Sequence, residues 1–339
     1  MTLKPFIIFM VSVYLLACTP TADVKKLSGE AQGTTYHISF WSEKPSDTAA
    51  IDKLIKEEFS RLDAEISNYR PDSRIEKFNA TESSEPLETT PEIISLIETA
   101  RKVSEASDGC YDLTIKPLFD LWGFKADKLH IPSDAELQNT LKTIGFKQVK
   151  IVDANHLQKL NPKLRIDVSS IAQGYSVARM VGILEQQGIH DYLVEIGGEL
   201  QTHGKKPDGS AWRVAVEKPL PDERTLHKIL TIQQTEALAV MTSGTYRHYF
   251  DQDGQRYSHI LDAKTGKPVE HKTVSVTVLH SNPTEADAWS TAMLCLGKER
   301  GLEVANKAGI AVLFIEQHDK ELDEVKSDAF TNLKGVLIK

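Results

Sequence analysis

Apolar residues recur at helical spacing at Ile51, Leu54, Ile55, Phe59, Leu62 and Ile66, which predicts an amphipathic helix with one face in a core. The pattern predicts a second helix over Pro91 to Ala106, with Thr90 as its cap and Pro91 in the first helical position, where a missing amide N–H costs nothing. Ser133 and Glu136 form a capping box that opens a third helix running to Ile144. Gly188 closes a fourth that begins near Ile171. Between them lie runs with strand character: Thr35 to Phe40, Gln148 to Val152, Tyr192 to Ile196, Trp212 to Val216, Lys228 to Ile232, Ala237 to Met241, Thr273 to Leu279 and Ile310 to Phe314. The elements are interspersed without the regular alternation of a doubly wound sheet, so the expected class is α/β in the broad sense (α+β), with mixed sheets flanked by helices. The polar, acidic run Thr81 to Thr90, which holds Pro86, is expected to be a surface loop.

The N-terminus departs from this pattern. Lys4 precedes an almost wholly apolar run from Phe6 to Leu16, which ends in Leu15-Leu16-Ala17-Cys18. The run is too short for a permanent membrane span and has the length of a secretory leader. A cysteine directly after a small residue at its end marks residues 1–17 as a lipoprotein signal peptide, cleaved before a lipidated Cys18. Residues 18–30 are then a short tether, and 31–339 the functional domain, anchored on the periplasmic face of the inner membrane in a bacterial cell envelope. Cleavage removes Lys4 and leaves 39 basic against 48 acidic residues, a net charge of −9 that argues against a nucleic-acid partner. Cys110 and Cys295 remain; an oxidising compartment allows a bridge between them, but their apolar or helical contexts favour buried free thiols.

Several signatures are absent: Gly-x-Gly-x-x-Gly, a phosphate-binding loop ending in Gly-Lys-Ser/Thr, His-Glu-x-x-His, paired cysteine knuckles and Gly-x-Ser-x-Gly. Dehydrogenases of the Rossmann type, P-loop enzymes and common zinc hydrolases are disfavoured. Short polar motifs at element ends take their place. Asp287-Ala288-Trp289-Ser290-Thr291 puts a carboxylate and two hydroxyls on one helical face, a hard oxygen set suited to Mg²⁺ and hence to phosphate chemistry. In Tyr257-Ser258-His259-Ile260-Leu261-Asp262, His259 is a candidate general base, although a lone histidine is more often structural. Arg165 to Tyr175 runs from a strand into a helix, with Asp167 at the strand end and hydroxyls at a helix start able to hold phosphate. Capping alone would also explain Ser169 or Ser170. Asp108 to Phe124 joins a tight turn to aromatic residues that could stack on a flat ring or equally belong to a core. Ile196-Gly197-Gly198-Glu199 reads first as a β-turn, and Thr242-Ser243-Gly244 is weak by itself.

Taken in order, these motifs resemble the FAD:protein FMN transferases, the ApbE-type flavin transferase family, over essentially the whole chain from Gly33 to about Gly309. The matching segments include Ser67-Asn68-Tyr69, Ser73 to Asn79, Asp108 to Phe124, Asp167 to Tyr175, Glu195 to Glu199, Thr242 to Gly244, His259 to Gly266 and Asp287 to Thr291. The resemblance implies a two-lobed fold and a Mg²⁺-dependent reaction. FAD is cleaved at its pyrophosphate, FMN is joined by a phosphoester to a threonine or serine of another protein, and AMP is released. It places Gln32, Tyr69, Cys110, Tyr111, Asp112, Asp167, Gln173 and Ile260 at FAD and Ser170, Asp287, Ser290 and Thr291 at the metal. His259 and Asp287 take catalytic roles, and the implied acceptors are periplasmic flavoproteins such as Rnf- or Nqr-type subunits. Gln32 and Gln173 depart from the residues common at those positions, and Gln173 brings no charge. The competing readings are a Mg²⁺-dependent FAD pyrophosphatase and a non-catalytic FAD-binding lipoprotein.

Overall fold

The computed structural model describes residues 23–220, 225–319 and 321–339, so the signal peptide and Cys18 lie outside the described residues. From the N-terminal side, β1 (Lys25–Ala31) and β2 (Thr34–Trp41) form a hairpin, followed by α1 (Thr48–Ile66) and α2 (Arg74–Ala80). Next come β3 (Pro86–Glu88), α3 (Pro91–Ala106), α4 (Lys116–Trp122), α5 (Asp134–Leu141), β4 (Val149–Asp153) and β5 (His156–Lys159). The long α6 (Ser169–Gln186) leads into β6 (Asp191–Ile196), β7 (Glu199–His203), β8 (Trp212–Glu217), β9 (Leu226–Ile232) and β10 (Leu238–Gly244). A small hairpin of β11 (Tyr249–Gln252) and β12 (Gln255–Ser258) precedes β13 (Thr273–His280) and α7 (Pro283–Ala308). Then β14 (Ala311–His318), β15 (Glu321–Lys326), α8 (Asp328–Thr331) and β16 (Val336–Ile338) complete the chain.

An eight-stranded sheet in the order β1-β2-β6-β7-β10-β13-β14-β15 carries the architecture. The α+β class is as the sequence pattern implies, and the expected mixed sheets resolve into antiparallel pairings among the described strands. Side chains alternate across this sheet: Ala239 and Met241 of β10 enter one core, whereas Leu238 and Val240 enter another. The first core lies against helices α1, α3, α6 and α7 and contains Ile51, Ile55, Phe59, Leu62 and Ile66 from α1. Burying each such side chain contributes roughly 1.5–3 kcal/mol before the entropy of ordering it. Leu54, part of the same sequence pattern, stays 39 % exposed. The second core is shared with the small sheet β16-β9-β8.

Some expectations change. Lys25 to Ala31 pair with β2 as strand β1, so Lys25 to Glu30 of the anticipated tether belong to the main sheet. The Thr81 to Thr90 loop contains β3, which pairs with β5. Thr90 occupies the cap position of α3 without a side-chain capping bond, whereas Ser133 and Glu136 do form the capping box of α5, which ends at Leu141 rather than Ile144. Trp122 and Phe124 are not free to stack on a ligand: they fill a third core with Leu118, Leu137 and Leu261, and the Trp122 indole donates to the Gly266 carbonyl at 2.8 Å.

The segment entering α6, residues 164–168, belongs to no strand, and side chains supply much of its backbone bonding. Asn79 accepts from the Ile166 amide at 2.7 Å and donates to the Ile166 carbonyl at 2.8 Å. Asn68 accepts from the Val168 amide at 2.7 Å. Both asparagines also donate to Glu76, whose carboxylate meets the buried Lys116 ammonium at 3.0 Å. This network holds Asp167 to Ser170 at the start of α6. Asn79→Ala, which strands the buried amide of Ile166 while Asn68 still donates to the Ile166 carbonyl at 3.0 Å, is expected to lose about 1–3 kcal/mol in urea unfolding.

Candidate active site

α6 and α7 cross in contact because Gly174 lacks a side chain: a Cβ there would lie 2.3 Å from the Pro283 carbonyl oxygen and 2.6 Å from the Asp287 Cβ. Asn282 caps α7 by accepting from the amides of Thr284 and Glu285, which fixes the first turns that present Asp287. One Asp287 oxygen then accepts the Gly174 amide N–H at 2.7 Å. The carboxyl is 5 % exposed, and burial pushes its pKa up to about 7.

Glu199 faces the same space. It follows the Gly197-Gly198 turn, whose positive φ angles of 62° and 102° suit a tight hairpin between β6 and β7. Its carboxyl accepts the Thr242 amide at 2.9 Å and is driven well above the ordinary carboxylate range, first by burial and then by the charge of Asp287. Sequence reading treated Glu199 as part of a turn. The signal was a carboxylate directly after a glycine pair at a strand start, which without a tertiary partner is uninformative.

Beside these acids lies a group of hydroxyls. Ser243 at the end of β10 meets Ser290 at 2.7 Å and Thr291 at 3.0 Å. Ser290 is completely buried and donates to the Asp287 carbonyl at 2.8 Å, so it supports the helix face from behind. Ser243, not singled out from sequence, is the hydroxyl that opens toward the cavity together with Thr291.

Asp287, Glu199, Ser243 and Thr291 line a cleft of about 400 Å³, which the buried Ser290, a candidate metal ligand from the sequence, does not border. Of the sequence-derived candidates, Tyr69, Cys110, Tyr111, Asp112, Asp167, Ser170, Gln173, His259, Ile260, Asp287 and Thr291 border it. Gln32 does not; it lines an adjoining groove together with Tyr69, Ser169 and Gln173. Asp112 reaches the wall with its oxygens occupied: it accepts from the Thr114 amide and hydroxyl and from the Phe146 amide. Asp167 accepts from the Ser169 amide at 2.9 Å, just ahead of Val168 in the N-cap position of α6. The buried Tyr111 hydroxyl lies 3.3 Å from Ser170, and burial raises its pKa. Tyr69 is 89 % exposed at the mouth.

His259 is half-buried just after β12, and its Nδ1–H donates to the His248 carbonyl at 2.7 Å. That bond leaves Nε2 as the basic nitrogen. Burial pulls the pKa down to about 4, so the ring is neutral near pH 7. Arg247 and His248, neither picked out from sequence, also border the cleft, and Arg247 is its one lysine or arginine among the described residues.

Cys110 and Cys295 are joined by a disulfide with Cα atoms 6.0 Å apart, which corrects the expectation of free thiols. The two positions are 185 residues apart in sequence and meet only because α7 packs against the turn after α3.

Chemically, the cleft gathers hard oxygen donors, a guanidinium and two imidazoles, of which that of His259 is neutral near pH 7. Asp287 and Glu199 are buried against each other, a costly arrangement for an unaccompanied pair of anions. A small divalent cation fits this donor set, and such sites favour phosphate substrates.

The ApbE family model matches residues 32–314. The chain is 36% identical over 332 residues to the FAD:protein FMN transferase of Vibrio cholerae serotype O1, covering 97% of this chain and 98% of the relative. It is 33% identical over 327 residues to that of Escherichia coli K12, covering 95% and 92%. The solved flavin transferase ApbE from Vibrio cholerae superposes with a TM-score of 0.82 at 36% identity, covering 91% of this chain and 99% of that one. The apo flavinyl transferase ApbE of Pseudomonas stutzeri gives 0.82 at 34% identity, covering 93% and 98%. With a family model spanning most of its length and relatives of this identity matched nearly end to end, the chain belongs to the ApbE family.

Proposed function

We propose that this protein is a Mg²⁺-dependent FAD:protein FMN transferase, lipid-anchored through Cys18 on the periplasmic face of the envelope. The observation that carries the reading is the buried Asp287–Glu199 pair beside the Ser243 and Thr291 hydroxyls, with the neutral His259 in the same cleft. Names of the relatives supply the reaction class.

Asp287, Glu199, Thr291 and Ser243 are the residues that would hold Mg²⁺, with Ser170 on the facing helix start. When bound, the ion supplies charge neutralisation for the pyrophosphate and the departing AMP. The protein's own part begins with Arg247, a fixed positive charge toward the anionic substrate. His259 Nε2 accepts the proton as the acceptor serine or threonine oxygen bonds to the FMN phosphorus. The bridging P–O bond breaks, and its oxygen leaves with AMP. The Nδ1–H bond to His248 keeps the ring in the tautomer able to do this. Gln173 offers an uncharged amide to ribose or phosphate.

The acceptor is a periplasmic protein with an accessible serine or threonine, such as an Rnf- or Nqr-type subunit. The leader sequence supports the anchor, and the Cys110–Cys295 bridge suits an oxidising compartment. Among the described residues no helix is long and apolar enough to cross a membrane.

Incubating residues 19–339 with FAD, Mg²⁺ and an acceptor flavoprotein should give fluorescent acceptor and AMP in equal amounts. AMP without labelled acceptor would replace transfer by FAD hydrolysis. His259→Gln should lower kcat by roughly 10²–10⁴-fold with little change in FAD binding, and the acid limb of the wild-type profile should lie below pH 6.5, the ordinary histidine value. A wild-type rate in this variant would remove His259 from the chemistry.

Metal-free protein provides a separate check. Because the folded Asp287 holds its proton up to about pH 7, the folded state binds more protons than the unfolded one between the ordinary value of 3.8 and that pH. Stability should therefore fall as pH rises across this window. Asp287→Asn should flatten that slope and, at pH 8, raise stability by at least about 1 kcal/mol, while abolishing the thermal shift caused by Mg²⁺. A steeper slope in the variant would contradict the account.

A further inference from the structure

The Cys110–Cys295 bridge stands where three walls of the cleft converge. Cys110 directly precedes Tyr111 and Asp112, both of which border the cavity. Cys295 lies one helical turn beyond Thr291 and so on the same face of α7 as the hydroxyl and carboxylate group. The third wall is the segment after His259: its Ala263 amide donates to the Cys110 carbonyl at 3.2 Å, and the Cys295 sulfur lies 3.8 Å from the Leu261 carbonyl oxygen. Both cysteines themselves border the cleft, at 1 % and 6 % exposure.

We infer that this disulfide is a positioning element of the transferase, and that its reduction lowers the rate of transfer while leaving the chain folded. The inference rests on the transferase reading. Reduction removes the covalent tie between the Tyr111 turn and α7, and two thiols in its place must sit at the separation of non-bonded atoms. A misplacement of about 1 Å can cost 10²-fold when the reacting groups come from separate elements. The fold itself has other support at this place. The turn remains tied by Gly109 to Ser104, by Asp167 to Leu113 and by the Lys264–Asp108 pair, and α7 remains packed against α3, α6 and the sheet.

The reductant is a dithiol. One of its thiolates attacks a bridge sulfur to give a mixed disulfide, and its second thiol closes that to a ring, leaving Cys110 and Cys295 as thiols. Two electrons and two protons pass from dithiol to bridge. Because the bridge is buried except toward the cleft, attack comes from the cavity.

The test poises residues 19–339 in a series of dithiothreitol redox buffers. Free thiols are counted by alkylation and mass spectrometry, transfer is followed by acceptor fluorescence, and amide hydrogen exchange is mapped in the fully oxidised and reduced states. The expected result is a fall in kcat of about 10- to 100-fold that tracks the thiol count and reverses on reoxidation. Faster exchange should be confined to residues 110–114, 259–263 and 288–296. Cys110→Ala/Cys295→Ala should show the rate of the reduced protein and no response to dithiothreitol. An unchanged rate with both thiols alkylated would overturn the inference. So would faster exchange throughout the chain, which would make the bridge a global staple. If oxidised protein yields neither labelled acceptor nor AMP, the transferase reading fails, and the exchange maps still decide what the bridge positions.

Discussion

The contact between Gly174 and Asp287 sets the geometry of everything around it. A helix crossing this close is possible only where one partner has no Cβ: the Pro283 carbonyl and the Asp287 Cβ occupy the space beside Gly174, and the Asp287 carboxylate accepts its amide N–H. Once α7 is docked there, Thr291 comes to face the end of β10, where Ser243 meets it. Glu199 reaches the same space from the next hairpin of the sheet. The packing of two helices on a sheet thus becomes a cluster of oxygen atoms, and burial sharpens their electrostatics.

That cluster is built against stability. Two carboxylates lie out of water with a guanidinium only at the cleft wall; burial raises the proton affinity of both, and the charge of Asp287 raises that of Glu199 further. The rest of the fold compensates through apolar burial: the main core spans the helices and the strands of the sheet. The asparagine clamp around Ile166 performs a related service at the other helix. It gives a strandless segment the hydrogen bonds of a sheet, so that α6 starts at a fixed place. Asn68 and Asn79 belong to motif segments legible in the sequence, yet they touch no part of the cleft chemistry. Their role is to aim Asp167 and Ser170.

His259 shows how little local sequence says about reactivity. Its neighbours suggest a histidine beside a strand. Only the fold supplies the His248 carbonyl that fixes its tautomer and the burial that keeps it neutral. The aromatic run around Trp122 went the other way, since residues that could have stacked on a ring close a small core under the cleft instead.

By itself the sequence determined the element types, because apolar periodicity and capping chemistry are local. The stripe of α1, the Ser133–Glu136 capping box and the strand runs from Thr35 to Phe314 all appear in the structure close to where the pattern puts them. It also determined the family and most of the cleft residues, because short motifs such as Asp287 to Thr291 carry their chemistry in helical spacing. Tertiary structure alone decided the pairings between distant segments. Glu199 beside Asp287, Ser243 in front of Ser290 and Cys110 bonded to Cys295 are each fixed by long-range packing. No single-chain periodicity encodes such contacts, since each depends on where a second element, often more than 40 residues away, is held by the core.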